Sequence, residues 1–358
     1  MTSERCCQVR KTVPGASGEN HFAGIDMGSH TTRLLIARRS GDELVAVRAE
    51  RRVTRLAEGF ERSGRITEEA QKRNLTALKE YAAILRDYRV GRVSCGATGV
   101  VRRAKNSAET LARIEDETGL VCSILSEESE ASLSAKGILS VVRLDGEQPL
   151  LFDVGGGSTE FVLPREEEGI RCASRPIGAA TLTQAYLAGD PCGMEAVERA
   201  ALAAREQIET AKEQLYENPH KKGKMQNSGG VLLAGTAGTV TTLAAMHLEM
   251  SHYVPYRVNG LVLPLEWINA TIRSLASMEL CERRKVAGLE AGREDIILGG
   301  AVIVSQILSS FGCDRFIVSD AGLIEGIVIE SIERESGMEG AAEAGGPKTH
   351  LTWRLAER

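Results

Sequence analysis

Aromatic side chains are scarce, at 4% of the 358 residues. Such scarcity argues against a surface that stacks nucleobases. No apolar run approaches the length of a membrane span, and the charged N-terminal stretch has no apolar segment behind it. The eight cysteines, at positions 6, 7, 95, 122, 172, 192, 281 and 313, show no Cys-x-x-Cys spacing, which excludes the usual zinc sites. Free buried thiols in a reducing cytosol are the simplest expectation, so a cytoplasmic protein is expected. The chain also lacks the GxGxxG of a dinucleotide-binding turn and the GxxxxGK[ST] of a P-loop. A net charge of −5 offers polyanions no global attraction. A polyanionic ligand would therefore need local basic clusters, such as Arg51-Arg52-Val53-Thr54-Arg55 or Arg102-Arg103-Ala104-Lys105.

What is present centres on Leu150–Leu163. An apolar run ends in Asp153, turns through Gly155, Gly156, Gly157 and Ser158, and resumes as a second apolar run containing Glu160. Short apolar runs bounded by glycines read as two buried strands and a tight turn. Successive glycines let backbone N–H groups converge on a phosphate, and an aspartate at the strand end can hold a divalent ion against it. Taken alone, the same stretch is also compatible with an ordinary hairpin.

The pattern occurs twice. Phe22–Ala37 repeats it, with Asp26 at the strand end and Gly28, Ser29, His30 and Thr31 in the turn. A third strand follows at Leu44–Arg48, and a weaker counterpart lies around Gly169–Pro176. Each hairpin is followed, after a helical stretch, by a strand running into a glycine loop. These are Arg92–Ala104 in the first half and Val231–Leu243, with Gly235 and Thr236, in the second. At 358 residues two domains are the prior, and the paired order points to an internal duplication. Ile66–Tyr88 reads as a helix opened by Thr67. Residues 217–230 read as an exposed loop. Glu127, Glu128 and Glu130 sit in the first turn of a short helix, where acids also suit the helix dipole.

Together these residues resemble the exopolyphosphatase / guanosine pentaphosphate phosphohydrolase family, within the actin-like ATPase superfamily. The carriers are Gly24–Ser29, Arg55–Gly59, Ala97 through Asn106, Glu127 through Ala131, Asp153 through Glu160, Ala234–Thr239 and Val318–Gly326. The resemblance implies an α/β fold of two duplicated ribonuclease H-like domains facing an active-site cleft. The expected spans are 22–140 and 141–320, with a helix at about 321–335 packing back on the first. A mobile leader (1–21) and tail (336–358) flank them. The implied activity is hydrolysis of a terminal phosphoanhydride with release of orthophosphate, processively from inorganic polyphosphate, with guanosine pentaphosphate as the alternative substrate.

Carried over by position, Glu130 matches the catalytic glutamate that activates water, and Arg102 the arginine that holds substrate phosphate. Asp153, Glu160 and Asp26 match acids associated with Mg2+ or another divalent cation. Gly28, Ser29, His30, Thr31, Gly155, Gly156, Gly157, Ser158, Gly235 and Thr236 match the phosphate cradles. The expected partners are the polyphosphate or nucleotide substrate and a second copy in a homodimer, with no nucleic acid and no membrane. Three departures stand out: His30 where the family usually has asparagine, Ser132 where it has arginine, and Gly99-Val100 where it has serine-alanine. The chain resembles the short family members, so a C-terminal helical extension with a His-Asp phosphohydrolase-like domain is not expected. A kinase would need an adenosine pocket, and a non-catalytic sensor would bind polyphosphate without cleaving it.

Overall fold

The computed structural model describes residues 21–142, 148–165, 169–216, 231–335 and 351–354. The expected leader except His21, the 217–230 loop and most of the expected tail lie outside them. In chain order the first elements are β1 (His21–Met27), β2 (Thr31–Ser40), β3 (Glu43–Val53), α1 (Phe60–Ser63) and α2 (Glu68–Asp87). Next come β4 (Arg92–Ala97), α3 (Gly99–Arg103), α4 (Ser107–Thr118), β5 (Cys122–Ile124) and α5 (Glu127–Leu139). Then follow β6 (Gln148–Val154), β7 (Thr159–Arg165), β8 (Gly169–Arg175), α6 (Ala179–Tyr186) and α7 (Gly193–Tyr216). The remainder begins with β9 (Val231–Thr236), α8 (Ala237–His247), α9 (Pro255–Val258), β10 (Val262–Pro264) and α10 (Leu265–Ser277). It closes with α11 (Leu280–Arg283), α12 (Ile297–Phe311), β11 (Arg315–Val318), α13 (Leu323–Glu335) and β12 (Thr352–Arg354).

These elements form two six-stranded sheets, in the orders β12-β3-β2-β1-β4-β5 and β10-β11-β9-β6-β7-β8. The duplication is visible in the pairing. In the first sheet β1 runs antiparallel to β2 and parallel to β4. In the second, β6 runs antiparallel to β7 and parallel to β9. The period-2 alternation is overridden in the central strands, because helices cover both faces and even successive residues are buried. Leu150, Leu151 and Phe152 are all buried in this way. Each such side chain contributes about 1.5–3 kcal/mol of burial.

The chain divides into two compact units. Unit one holds the first sheet with α1–α4, the part of α13 from Ile327 onward, and β12. Its core joins Ile25, Met27 and Leu34 of the hairpin to Leu75, Leu78 and Tyr81 of α2. Thr67 starts α2 as expected, its side chain accepting from the Ala70 amide at 3.3 Å. Unit two holds Glu127–Gly326. The division thus falls at Ser126/Glu127, not near residue 140. The reason is the apolar face of α5, where Ala131, Ala135 and Ile138 pack with Leu151, Val162 and Ala234 of the second sheet. At its C-terminal half α5 also runs against the start of α13: a Cβ on Gly137 would lie 1.9 Å from the Gly322 carbonyl oxygen.

Two further expectations are corrected. Part of the expected tail is an ordered strand, β12, paired in parallel with β3 and anchored by buried Leu351 and Trp353. Cys95 and Cys122, register partners on β4 and β5, form a disulfide, whereas Cys172, Cys192, Cys281 and Cys313 are not disulfide-bonded. None of the described helices is long and apolar enough to cross a membrane.

Candidate active site

In unit two the central strand β6 delivers Asp153 to its C-terminal end, and the β6–β7 register sets Glu160 directly opposite it. Hydroxyl donors hold both carboxylates. Ser134 on α5 donates to Asp153 Oδ2 at 2.9 Å, and Ser174 on β8 donates to Glu160 Oε1 at 3.2 Å. Glu130, one helical turn before Ser134, lies on the same face of α5 and is itself buried. Burial pushes the Glu160 carboxyl well above the ordinary carboxylate range, and the charges of Glu130 and then Asp153 push it further. The Ser158 and Ser174 hydroxyls oppose that rise. Three carboxyl groups thus crowd one strand end, where the charges of Glu130 and Asp153 oppose ionisation of Glu160.

The turn between β6 and β7 presents its amides and hides its carbonyls. The Gly155 amide closes the turn on the Ser158 carbonyl at 3.0 Å. The Gly155 carbonyl accepts from Ala179, and the Gly156 carbonyl from Ala180 and Thr181, at 2.9, 2.9 and 3.2 Å. These donors are the first residues of α6. No acceptor among the described residues takes the amides of Gly156 or Gly157. Next to this strand, β9 ends in Thr236, whose Oγ1 donates to the Ala321 carbonyl at 2.8 Å. The Gly235 carbonyl accepts from the Ser319 amide at 2.7 Å. Ala237 follows at φ 75°, a left-handed conformation costly for a residue with a Cβ.

Unit one repeats the geometry with different charges. The Gly28 amide closes its turn on the Thr31 carbonyl at 3.0 Å, and the Ser29 and His30 carbonyls accept from residues 54, 55 and 57. Ser29 and His30 are buried, and Ser29 Oγ accepts from the Val100 amide at 3.3 Å. Gly99 has φ 41°, the counterpart of Ala237, and a Cβ there would meet Ser29 Oγ at 2.6 Å. This is a local reason for glycine at a departure from the family pattern. Asp26 faces Arg33 across the hairpin, where Asp153 faces Glu160. Arg33 donates to Asp26 Oδ2 from Nε and Nη2 at 3.1 and 2.9 Å, and Asp26 Oδ1 is buried without a hydrogen-bond partner. Arg102 sits on α3, its Nη1 donating to the Leu125 carbonyl at 2.8 Å.

Unit two therefore brings together Glu130, Asp153, Glu160 and the Gly155–Ser158 turn, with Gly235 and Thr236 on the adjacent strand. Unit one brings together Asp26 and the Gly28–Thr31 turn. Among the described residues no three His, Cys, Asp or Glu side chains converge tightly enough to cage a metal ion by themselves. Mg2+ does not require that: it keeps several waters and takes one or two carboxylates plus substrate phosphate oxygens. The all-oxygen, negatively loaded end of β6 fits such an ion.

A family profile for the Ppx/GppA phosphatase family matches residues 35–335. The chain belongs to this family. It is 31% identical over 320 residues to Exopolyphosphatase 2 of Mycobacterium tuberculosis, covering 86% of this chain and 97% of that one. The crystal structure of the Aquifex aeolicus Ppx/GppA family member aligns at a TM-score of 0.71 with 31% identity, covering 88% of this chain and 98% of that one. An exopolyphosphatase structure from Cytophaga hutchinsonii aligns at 0.75 with 25% identity, covering 89% and 98%. The two-sheet α/β architecture described above is the Ppx/GppA, actin-like ATPase fold.

Within this Ppx/GppA chain three residues of the site escape a motif reading. Ser134 was accessible in principle, since its spacing of four from Glu130 puts both on one helix face. Arg33 follows once the turn is placed at 28–31, because the hairpin register then sets it opposite Asp26. Ser174 carries no local signal: only the β7–β8 register puts it opposite Glu160.

Proposed function

We propose that this chain hydrolyses the terminal phosphoanhydride of inorganic polyphosphate and releases orthophosphate. The observation that carries this reading is the set of Glu130, Asp153 and Glu160 beside a glycine turn whose amides point away from its bonded carbonyls. Amides without an acceptor among the described residues suit phosphate oxygens at such a turn. The similarity to a mycobacterial exopolyphosphatase along 97% of that protein supports the substrate.

In the proposed reaction Glu130 accepts a proton from water as the water oxygen attacks the terminal phosphorus. The bridging P–O bond breaks, orthophosphate departs, and the shortened chain keeps the bridging oxygen. Glu130 is suited to the base role because it is held on a helix rather than a loop. Asp153 and Glu160 are the residues that would hold Mg2+ or another divalent cation, and such an ion supplies charge neutralisation for the phosphoryl oxygens. Arg102 is proposed to grip substrate phosphate, for which a guanidinium offers paired donors. The Gly28–Thr31 and Gly155–Ser158 turns, with Gly235 and Thr236, are proposed as phosphate cradles. Asp26, already paired with Arg33, is proposed to act through unit one's turn and not as a first choice for the cation. Neither a homodimer nor a cytoplasmic location is needed for this chemistry; the homodimer stands as a proposal from the family resemblance and the location as one from the sequence pattern.

The test is phosphate release from long polyphosphate, tripolyphosphate and guanosine pentaphosphate, each with and without Mg2+. Glu130→Gln is expected to lower kcat by about 10²–10⁴-fold while leaving substrate binding intact. Unchanged release by Glu130→Gln would remove Glu130 from the mechanism. Preference for guanosine pentaphosphate would move the substrate to the nucleotide, and binding without release would make the chain a sensor.

A further inference from the structure

Arg55 is held in a backbone conformation that its own side chain disfavours. Its φ of 49° lies in the left-handed region, where a Cβ crowds the backbone and glycine is unhindered. Hydrogen bonds on both sides impose it. The amides of Thr54 and Arg55 donate to the His30 carbonyl at 3.0 and 2.9 Å, and the Ala57 amide donates to the Ser29 carbonyl at 3.0 Å. From the other side Arg73 donates through Nε to the Thr54 carbonyl at 2.9 Å. Its Nη2 donates to the Arg55 carbonyl at 3.3 Å and to the Glu58 carboxylate at 2.5 Å. Residues 54–58 are thereby clasped against the Gly28–Thr31 turn.

The two units back their turns in different ways. Behind the Gly155–Ser158 turn lies the N-terminus of α6, which donates to the turn carbonyls and carries the partial positive charge of a helix start. Behind the Gly28–Thr31 turn lies an irregular segment, since α1 begins only at Phe60. The charged residue of that segment bonded directly to the turn is Arg55. Every backbone bond of the clasp could be made by glycine at 55, and without strain. Backbone geometry therefore does not account for an arginine there, and strain of this kind concentrates where a side chain serves a ligand.

We infer that Arg55 is a substrate-binding residue, its guanidinium supplying a cation beside the Gly28–Thr31 turn to contact a phosphate oxyanion. This rests on the phosphoanhydride reading of the preceding section. Arginine suits the task because it is always charged and presents paired donors to phosphate oxygens.

Arg55→Gly separates the fold from the function. The variant is expected to melt at or above the wild-type temperature, because the strain is relieved. Its KM for polyphosphate is expected to rise about tenfold, as for loss of one charge-assisted hydrogen bond, with kcat changed far less. Arg55→Gln keeps the strain and removes the charge, and should show the same rise in KM; Arg55→Lys should recover part of it. Wild-type KM in both the Gly and the Gln variant overturns the inference and leaves Arg55 a structural residue. If the wild-type protein releases no phosphate from any substrate, the phosphoanhydride reading fails instead. Equilibrium binding of tripolyphosphate then decides Arg55 by itself, and equal affinity of wild type and Arg55→Gly overturns the inference.

Discussion

Arg33 stands across the β1–β2 hairpin from Asp26 and neutralises it, with Nη2 2.9 Å from Oδ2. The equivalent position in unit two carries Glu160, so one half of the duplicated fold contains an ion pair where the other accumulates like charges. That difference assigns the two aspartates different work. Asp26 is satisfied on one oxygen by its own strand partner, while Asp153 and Glu160 share a charge that favours an added cation.

Removing Arg33 should therefore destabilise unit one. Asp26 is buried and its second oxygen already lacks a partner, so Arg33→Ala would leave a poorly compensated charge at the end of a central strand. The pair is partly solvated on the arginine side, which reduces the loss below that of a fully buried pair. An effect of about 2 kcal/mol is expected. Asp26→Asn in the Arg33→Ala background should recover most of it. Urea denaturation of the two single variants and the double variant measures the coupling, and additive losses would show that the pair is not coupled.

Much of this organisation was legible before any coordinates. Apolar runs broken by Asp26 and Asp153 announced the two central hairpins, and their repetition announced two sheets of one design. The helix after Thr67 was readable from its cap and spacing. Other features depend on tertiary packing that local pattern does not encode. The glutamate-rich start of α5 gave no sign that Ala131 and Ala135, one and two turns on from Glu127, would assign the helix to unit two. The pairing of β12 with β3 joins residues more than 300 positions apart in a segment whose composition resembles a tail. Cys95 and Cys122 meet only because β4 and β5 lie side by side in register. Likewise, the charge state of Glu160 follows from burial plus two neighbours on different elements, not from its own sequence context.

Glu160 makes the stability of the metal-free protein depend on pH in a defined direction. Its folded carboxyl binds a proton more tightly than the same group in the unfolded chain, because burial and the Glu130 and Asp153 charges oppose ionisation. The stabilisation is fully present below the ordinary carboxylate value of about 4.3 and is lost as pH rises through the folded value. In the presence of a chelator, the wild-type melting temperature should accordingly fall across that window. Glu160→Gln, which stays neutral, should show a smaller fall and exceed wild type at its upper end. Mg2+ should restore the wild-type protein there and affect Glu160→Gln less. Parallel melting curves for the two proteins, with the rest of the chain's titration common to both, check this. A Glu160→Gln protein that tracks wild type at every pH would count against the charge coupling.

Gly178 tests whether the shape of the second glycine turn matters. A Cβ there would lie 2.5 Å from the Gly156 carbonyl carbon, 2.6 Å from the Gly157 nitrogen and 2.7 Å from the Gly155 oxygen. All three are backbone atoms, so no side-chain rotation relieves the clash: either the turn shifts or α6 does. The φ of −137° at Gly178 is ordinary for alanine, which makes the substitution a probe of packing and not of backbone preference. Gly178→Ala should cost about 1–3 kcal/mol as an overpacked contact. If the Gly156 and Gly157 amides position a phosphate, an ångström of displacement should also lower kcat/KM by about 100-fold. Gly91→Ala, where an added Cβ meets nothing within 4 Å, is the matched control and should leave activity unchanged. Comparing kcat/KM of the two variants at a temperature where both are fully folded isolates the turn from global stability. Full activity in Gly178→Ala would mean that substrate phosphate is held elsewhere.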